Sequence, residues 1–259
     1  MSSWSALCGL RIGCVRYLNA KPLIHAYDGA VTFEHPAALA RDIARGELDA
    51  ALVPIYEALG TRPYLLVDDV AIASDGPVFS VFLAFRGELR DIRTIALDPA
   101  SLTSVHLLKV LLAEFHGLHP EFVDSAVLTE ADAELLIGNQ AIEFRQAHAG
   151  THRFVDLGED WTRQTGLPFV YAAWLLRPDL PNAGLVAEAF RALQQAGSTT
   201  IPEIVESQTE GDAAFRTRYL TEHIRFRLGA REKAGIEKFR ALLAKHGLTT
   251  PAPAPLHYL

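Results

Sequence analysis

Residues 94–115 constrain the fold of this chain more than any other stretch. Thr94-Ile95-Ala96-Leu97 is an apolar run with the length of a short buried strand, and Asp98-Pro99 breaks it. Ser101, Thr103 and Ser104 then put three hydroxyls within four positions. Apolar residues recur at Leu102, Val105, Leu108, Leu111 or Leu112 and Phe115, which is helical spacing. The segment reads as strand, tight turn and helix N-terminus. Free N–H groups and the positive end of the helix dipole make such a turn attractive to anions. Two readings of the hydroxyls stand. Ser101 caps the helix and the others decorate its first turn, or the cluster binds a ligand. A matching turn near residue 17 favours the ligand for the cluster as a whole.

Composition narrows the function class. The chain has 259 residues, 49% hydrophobic and 21% charged, with a formal net charge of −7. That length suits one large domain or two ordinary lobes. The acidic balance and the lack of a long basic run argue against nucleic acid and against an anionic membrane surface. Small anions remain available as ligands, because a helix N-terminus binds them even in an acidic protein. Cys8 and Cys14 build neither a disulfide framework nor a metal pattern. The first seven residues carry no charged n-region and no long apolar core, and no apolar run reaches membrane-spanning length. The expectation is a cytoplasmic protein.

Along the chain, strand and helix patterns alternate in two series. Leu10–Val15, Val31–Glu34 and Asp49–Val53 read as strands, with Pro36–Arg45 a helix and a helix from Pro22 to about Tyr27. Tyr64–Ala73 and Val78–Phe85 follow as strands. The polar run Arg86–Asp91 breaks the pattern, and the second series starts at Arg93. Ala133–Ala141 reads as a strand with a glycine turn, Phe154–Gly158 as the last strand of the series, and Gly158–Pro168 as one helical turn. Phe169–Leu176 is an aromatic-rich strand. After Pro178 the chain is helical, and its proline-rich tail is extended. The economical architecture is α/β, with two lobes and the second inserted into the first. Residues 1–85 and 175–259 form lobe 1, residues 86–174 form lobe 2, and crossings fall near Phe85 and Tyr171. The turns at Tyr17–Asn19 and Ser101–Ser104 would line the cleft between them, where α/β folds bind ligands.

Those residues carry a resemblance. Tyr17-Leu18-Asn19 with Pro22-Leu23, Leu48–Pro54, Leu97–Ser104, Leu135–Gly138, Gly166–Val170 with Trp174, Tyr219-Leu220 and Gly235–Phe239 resemble, in order, the menaquinone biosynthesis family of the futalosine pathway. The similarity runs from about Arg11 to Leu243. It implies a periplasmic-binding-protein-like type II fold without a secretion signal. It also implies dehydration of chorismate, a small anionic substrate, with no metal and no redox cofactor. The sequence departs from the family where Asn139-Gln140 replace an acidic and a small residue, and where Leu102 stands in place of a frequent Arg.

On that basis Ser101, Thr103 and Ser104 are expected to bind one carboxylate. Asn19 and Ser80 are the catalytic candidates, contacting the other end of the substrate or its leaving hydroxyl. Tyr17 and Phe169 are expected to wall the ring. Ser80 has a second reading, as a buried hydroxyl satisfied by the backbone. No general base stands out, and a substrate carboxylate is a candidate for that role. His148 and His152 have helical metal-pair spacing, but no third ligand is placed by pattern, so no metal is expected. Two alternatives remain. One is the sister enzyme that cleaves cyclic dehypoxanthinyl futalosine. The other is a non-enzymatic solute-binding protein. A monomer or a homodimer suits each of these readings.

Overall fold

The computed structural model describes residues 4–97, 101–125, 131–249 and 253–259. Its strands and helices follow in this order: β1 (Ile12–Cys14), β2 (Val31–Phe33), α1 (Pro36–Ala44), β3 (Ala50–Pro54), α2 (Ile55–Ala58), β4 (Leu65–Ser74), β5 (Val81–Phe85) and β6 (Thr94–Leu97). Then come α3 (Leu102–Leu111), β7 (Glu121–Asp124), β8 (Ala133–Ile137), α4 (Gly138–His148), β9 (Arg153–Asp156), α5 (Leu157–Thr165) and β10 (Phe169–Leu176). The chain ends with α6 (Ala183–Thr199), α7 (Ile201–Ser207), α8 (Ala213–Arg218), α9 (Ala230–Lys245) and β11 (His257–Tyr258).

Two sheets organise these elements. The first runs β11-β4-β10-β3-β1-β2 and the second β7-β6-β8-β5-β9. In the first, β2, β1 and β3 are parallel, and β10 is antiparallel to β3 and β4. In the second, β7, β6 and β8 are parallel, and β5 is antiparallel to β8 and β9. Leaving aside β11, the sheets share one plan: three parallel strands, one reversed strand, one further strand. The fully buried runs of β3 and β5 and the nearly all-buried β10 are apolar on both faces, as strands covered on two sides must be.

Two lobes with the second inserted are therefore present, but the crossings move. Val81–Phe85 belongs to the second sheet, not to the first lobe, and Phe169–Leu176 belongs wholly to the first. The chain passes between sheets in residues 75–80 and 157–168. Asp156 anchors the first passage. Its buried carboxylate accepts Val78 N at 3.0 Å and Phe79 N at 2.7 Å, and caps α5 through Gly158 N and Glu159 N. Arg145 Nη1 balances that charge at 3.2 Å. These bonds hold Phe79 at φ +68°, a conformation side chains rarely adopt.

Other local expectations shift. The helix expected after Pro22 is a 3-10 segment, Leu18–Leu23. Gly138 begins a helix, α4, where only a turn was expected. The single turn expected at 158–168 is the longer α5, which Asp156 starts. The extended tail closes on a short strand, β11, paired with β4. Asp98–Ala100, the break before the hydroxyl cluster, lies outside the described residues, as does the end of residues 122–128, which the sequence alone reads as extended.

Candidate active site

A cleft of about 550 Å³, part of it open to solvent, lies between the lobes. It is bounded by the turns that follow β1 and β3 in the first lobe and those that precede α3 and α4 in the second. These are the carboxyl ends of parallel strands, where open α/β sheets bind ligands.

The first lobe contributes Tyr17 and Asn19 to the cleft wall. Asn19 is 8% exposed, and its Oδ1 has no hydrogen-bond partner among the described residues. The second lobe contributes Ser101, Thr103 and Ser104, all buried. Ser101 precedes α3 but its side chain caps nothing, and Ser101 Oγ also lacks a partner among the described residues. The capping reading of Ser101 is thus set aside. Two buried, unpartnered oxygens from opposite lobes line one cavity. Leaving such groups unpaired is costly, and a polar molecule in the cavity could satisfy both. Thr103 Oγ1 accepts Tyr56 N at 3.1 Å, which leaves its O–H free to donate.

Ser80 and Phe169 are placed differently from expectation. Neither lines the cleft. Ser80 is fully buried, and its Oγ accepts the Tyr219 hydroxyl at 2.7 Å, so its described side-chain partner is a phenol rather than the backbone. Burial pushes Tyr219 well above its ordinary pKa, and the phenol stays neutral. Phe169 packs in an aromatic cluster, 5.2 Å from Trp161 and 5.0 Å from Phe239. Tyr171 and Ala172, on the same strand, take its expected place on the cleft wall. A register shift in the pairing of β10 with β4 falls between Val170 and Ala172, which upsets simple alternation along the strand. Tyr171 Oη meets Ser74 Oγ at 3.2 Å, and burial raises this phenol too.

Sequence reasoning missed the groups that join the lobes. Gly138 sits at φ +67°, and a Cβ there would lie 2.7 Å from the Tyr17 ring. Its N–H donates to Ser80 O at 2.9 Å. Asn139 Oδ1 accepts Leu18 N at 3.0 Å. The Ile-Gly-Asn run was visible in the sequence, but only the fold brings it to residue 18. His148 stacks on Phe144 and His152 meets both rings edge-on, away from the cleft.

The cleft wall holds no Asp, Glu, His, Lys or Arg among the described residues. It presents hydroxyls, an amide and backbone N–H groups, and the titratable side chains described on it are Tyr17 and Tyr171. Such a wall can orient an anion and exclude water, but offers no ordinary acid or base.

A family model described as menaquinone biosynthesis matches residues 10–245. The chain belongs to that family. Within and around the family, a chorismate dehydratase of Thermus thermophilus is 31% identical over 256 residues, covering 90% of this chain and 94% of the relative. A 1,4-dihydroxy-6-naphtoate synthase of Streptomyces coelicolor is 27% identical, covering 81% and 79%. Among solved structures, a protein of Archaeoglobus fulgidus superposes with a TM-score of 0.72 at 16% identity, over 92% of this chain and 98% of that one. The periplasmic aliphatic sulphonate binding protein SsuA of Escherichia coli gives 0.55 at 14% identity, over 96% and 93%. These likenesses are of fold, and the fold is the two-lobed type II plan of periplasmic binding proteins. No helix among the described residues is long and apolar enough to cross a membrane.

Proposed function

We propose that the chain is a chorismate dehydratase, converting chorismate to 3-[(1-carboxyvinyl)oxy]benzoate and water in menaquinone biosynthesis by the futalosine route. The observation that carries the reading is the cleft itself. Among its described residues it offers a polar molecule two bare oxygens and no ordinary acid or base. A nearly full-length likeness to a chorismate dehydratase supports the same choice.

Chorismate needs little from its enzyme. The proton lost is acidified through a double bond by the ring carboxylate, the leaving hydroxyl is on the next carbon, and the product is aromatic. The drive lies in the substrate. The protein must hold two carboxylates, align the C–H and C–OH bonds, and exclude water. Ser101, Thr103 and Ser104 take one carboxylate with hydroxyls and the first N–H groups of α3. Hydrogen bonds to a charged group contribute roughly 1.5–3 kcal/mol each. Asn19 holds the leaving hydroxyl, with Oδ1 accepting its O–H. Tyr17 and Tyr171 flank the ring, and Ser80 braces Tyr219 behind the wall. The other substrate carboxylate takes the proton from carbon. The resulting carboxyl passes that proton to the departing hydroxyl, which leaves as water, and the ring becomes aromatic. The same reading carries a small anionic substrate, a cytoplasmic location and a monomer or homodimer.

The test is incubation of the purified protein with chorismate, followed by chromatography and mass. Loss of one water with an aromatic enolpyruvyl ether supports the reading, and Asn19→Ala should abolish it. Protection of the fold by chorismate without turnover would instead indicate a solute-binding protein.

A further inference from the structure

We propose that Asn139 and Glu210 form a polarity-matched latch that positions the Leu18–Asn19 turn over the substrate. Three separate parts of the chain meet at the Asn139 amide. Its Oδ1 accepts the backbone N–H of Leu18 in the first lobe at 3.0 Å. Its Nδ2 donates to Glu210 Oε1 in the segment between α7 and α8. Its own backbone lies in the first turn of α4 in the second lobe. The two ends of the amide are therefore fixed by chemistry: a donor faces the oxygen and a carboxylate faces the nitrogen.

Glu210 is itself held. Its second oxygen accepts Thr209 N at 3.2 Å, and Arg216 donates to the carbonyls of Glu210, Gly211 and Val205. Asp212 caps α8 through Phe215 N, which fixes the other end of the segment. The latch thus ties a braced carboxylate to the residue next to Asn19. Beside it, the Tyr17 ring lies on the bare face of Gly138. A shift of Asn139 would carry the whole 17–19 turn with it. Asn139 does not line the cleft, so it acts as a positioning residue.

This inference rests on the dehydratase reading for its kinetic arm only. Asn139→Asp keeps the shape but presents two acceptor ends, and its charge meets Glu210 at hydrogen-bond distance. Glu210→Gln keeps an acceptor for Asn139. In the double variant the polarity is exchanged: the carboxylate introduced at position 139 accepts both Leu18 N and the amide introduced at position 210. The four proteins would be compared by melting and by kcat and KM for chorismate. Asn139→Asp should lower the melting temperature and cut kcat/KM at least tenfold. Glu210→Gln should stay within threefold of the parent, and the double variant should recover to within threefold. An Asn139→Asp protein that melts and turns over like the parent would overturn the latch. So would a double variant no better than Asn139→Asp. A parent that ignores chorismate strikes the dehydratase reading instead, and melting alone then decides the latch by the same pattern of loss and recovery.

Discussion

The backbone N–H of Tyr56 donates to Thr103 Oγ1 at 3.1 Å, joining the turn after β3 to the start of α3. The bond from Leu18 N to Asn139 Oδ1 joins the turn after β1 to the start of α4. In both, the first lobe donates a main-chain N–H and the second residue of a second-lobe helix accepts. The two sheets share one strand plan, with β1 matching β6 and β3 matching β8. Each bond therefore pairs a first-strand turn of one lobe with a third-strand turn of the other. The lobes are cross-tied through the residues that bound the cleft.

Thr103→Val keeps the shape and removes the acceptor. The Tyr56 N–H then loses its partner, at a cost of about 1–2 kcal/mol. The variant should melt lower and show reduced kcat/KM, while Thr103→Ser should restore the melting temperature. A Thr103→Val protein as stable as the parent would remove the cross-tie from the account.

Ser101→Ala should separate binding from stability. Ser101 Oγ is buried without a partner among the described residues, so its removal leaves the free protein as stable as before, or more so. A bound carboxylate, however, loses a hydrogen bond of about 1.5 kcal/mol, or roughly tenfold in KM. Melting curves beside initial rates read both effects. An unchanged KM would place the carboxylate elsewhere.

Gly138→Ala meets two obstacles at once. The backbone is at φ +67°, and the new Cβ would press on the Tyr17 ring. Backbone strain of this kind costs on the order of 1–3 kcal/mol. Urea denaturation should show that loss, and adding Tyr17→Ala should relieve only the steric part. Full recovery in the pair would mean that the backbone carries no strain.

Asp49 makes stability depend on acid. The Arg11 side chain, with its backbone N–H and the nearby Arg177, holds the Asp49 carboxyl down to about 2. A depressed carboxyl stabilises the fold above the unfolded value near 4, and that contribution disappears as pH falls through about 2. Arg11 is half exposed, so the contribution is about 2 kcal/mol at most. Asp49→Asn should be less stable near neutrality, and the gap should narrow in urea melts taken from pH 5 down to pH 2. A gap that stays constant would assign the stability to packing.

The strand-to-helix units were legible because their apolar spacing is local. Thr94–Leu97 and Phe169–Leu176 stand where the sequence put them. Asn19, Tyr17 and the hydroxyls at 101–104 reached the cleft because each follows a parallel strand, and that position is readable from pattern alone. Ser80 and Phe169 stand off the cleft wall for different reasons: Ser80 lies in the passage before β5 rather than within a strand, and which face of the buried strand β10 meets a cavity depends on its neighbours. Asn139 and Glu210 stand far apart in sequence, and nothing local foretells their meeting. Asp156 was the recoverable miss: an aspartate at a strand end, three residues before an acidic pair, is an ordinary helix start.

The place of β10 bears on the order in which the molecule assembles. It lies between β3 and β4, so the two halves of the first sheet have no shared hydrogen bonds until residues 169–176 exist. Every strand of the second sheet comes from the unbroken stretch 81–156. During synthesis the inserted lobe can therefore complete itself first. The flanking lobe begins earlier on the ribosome and finishes later, closing around a neighbour that is already folded.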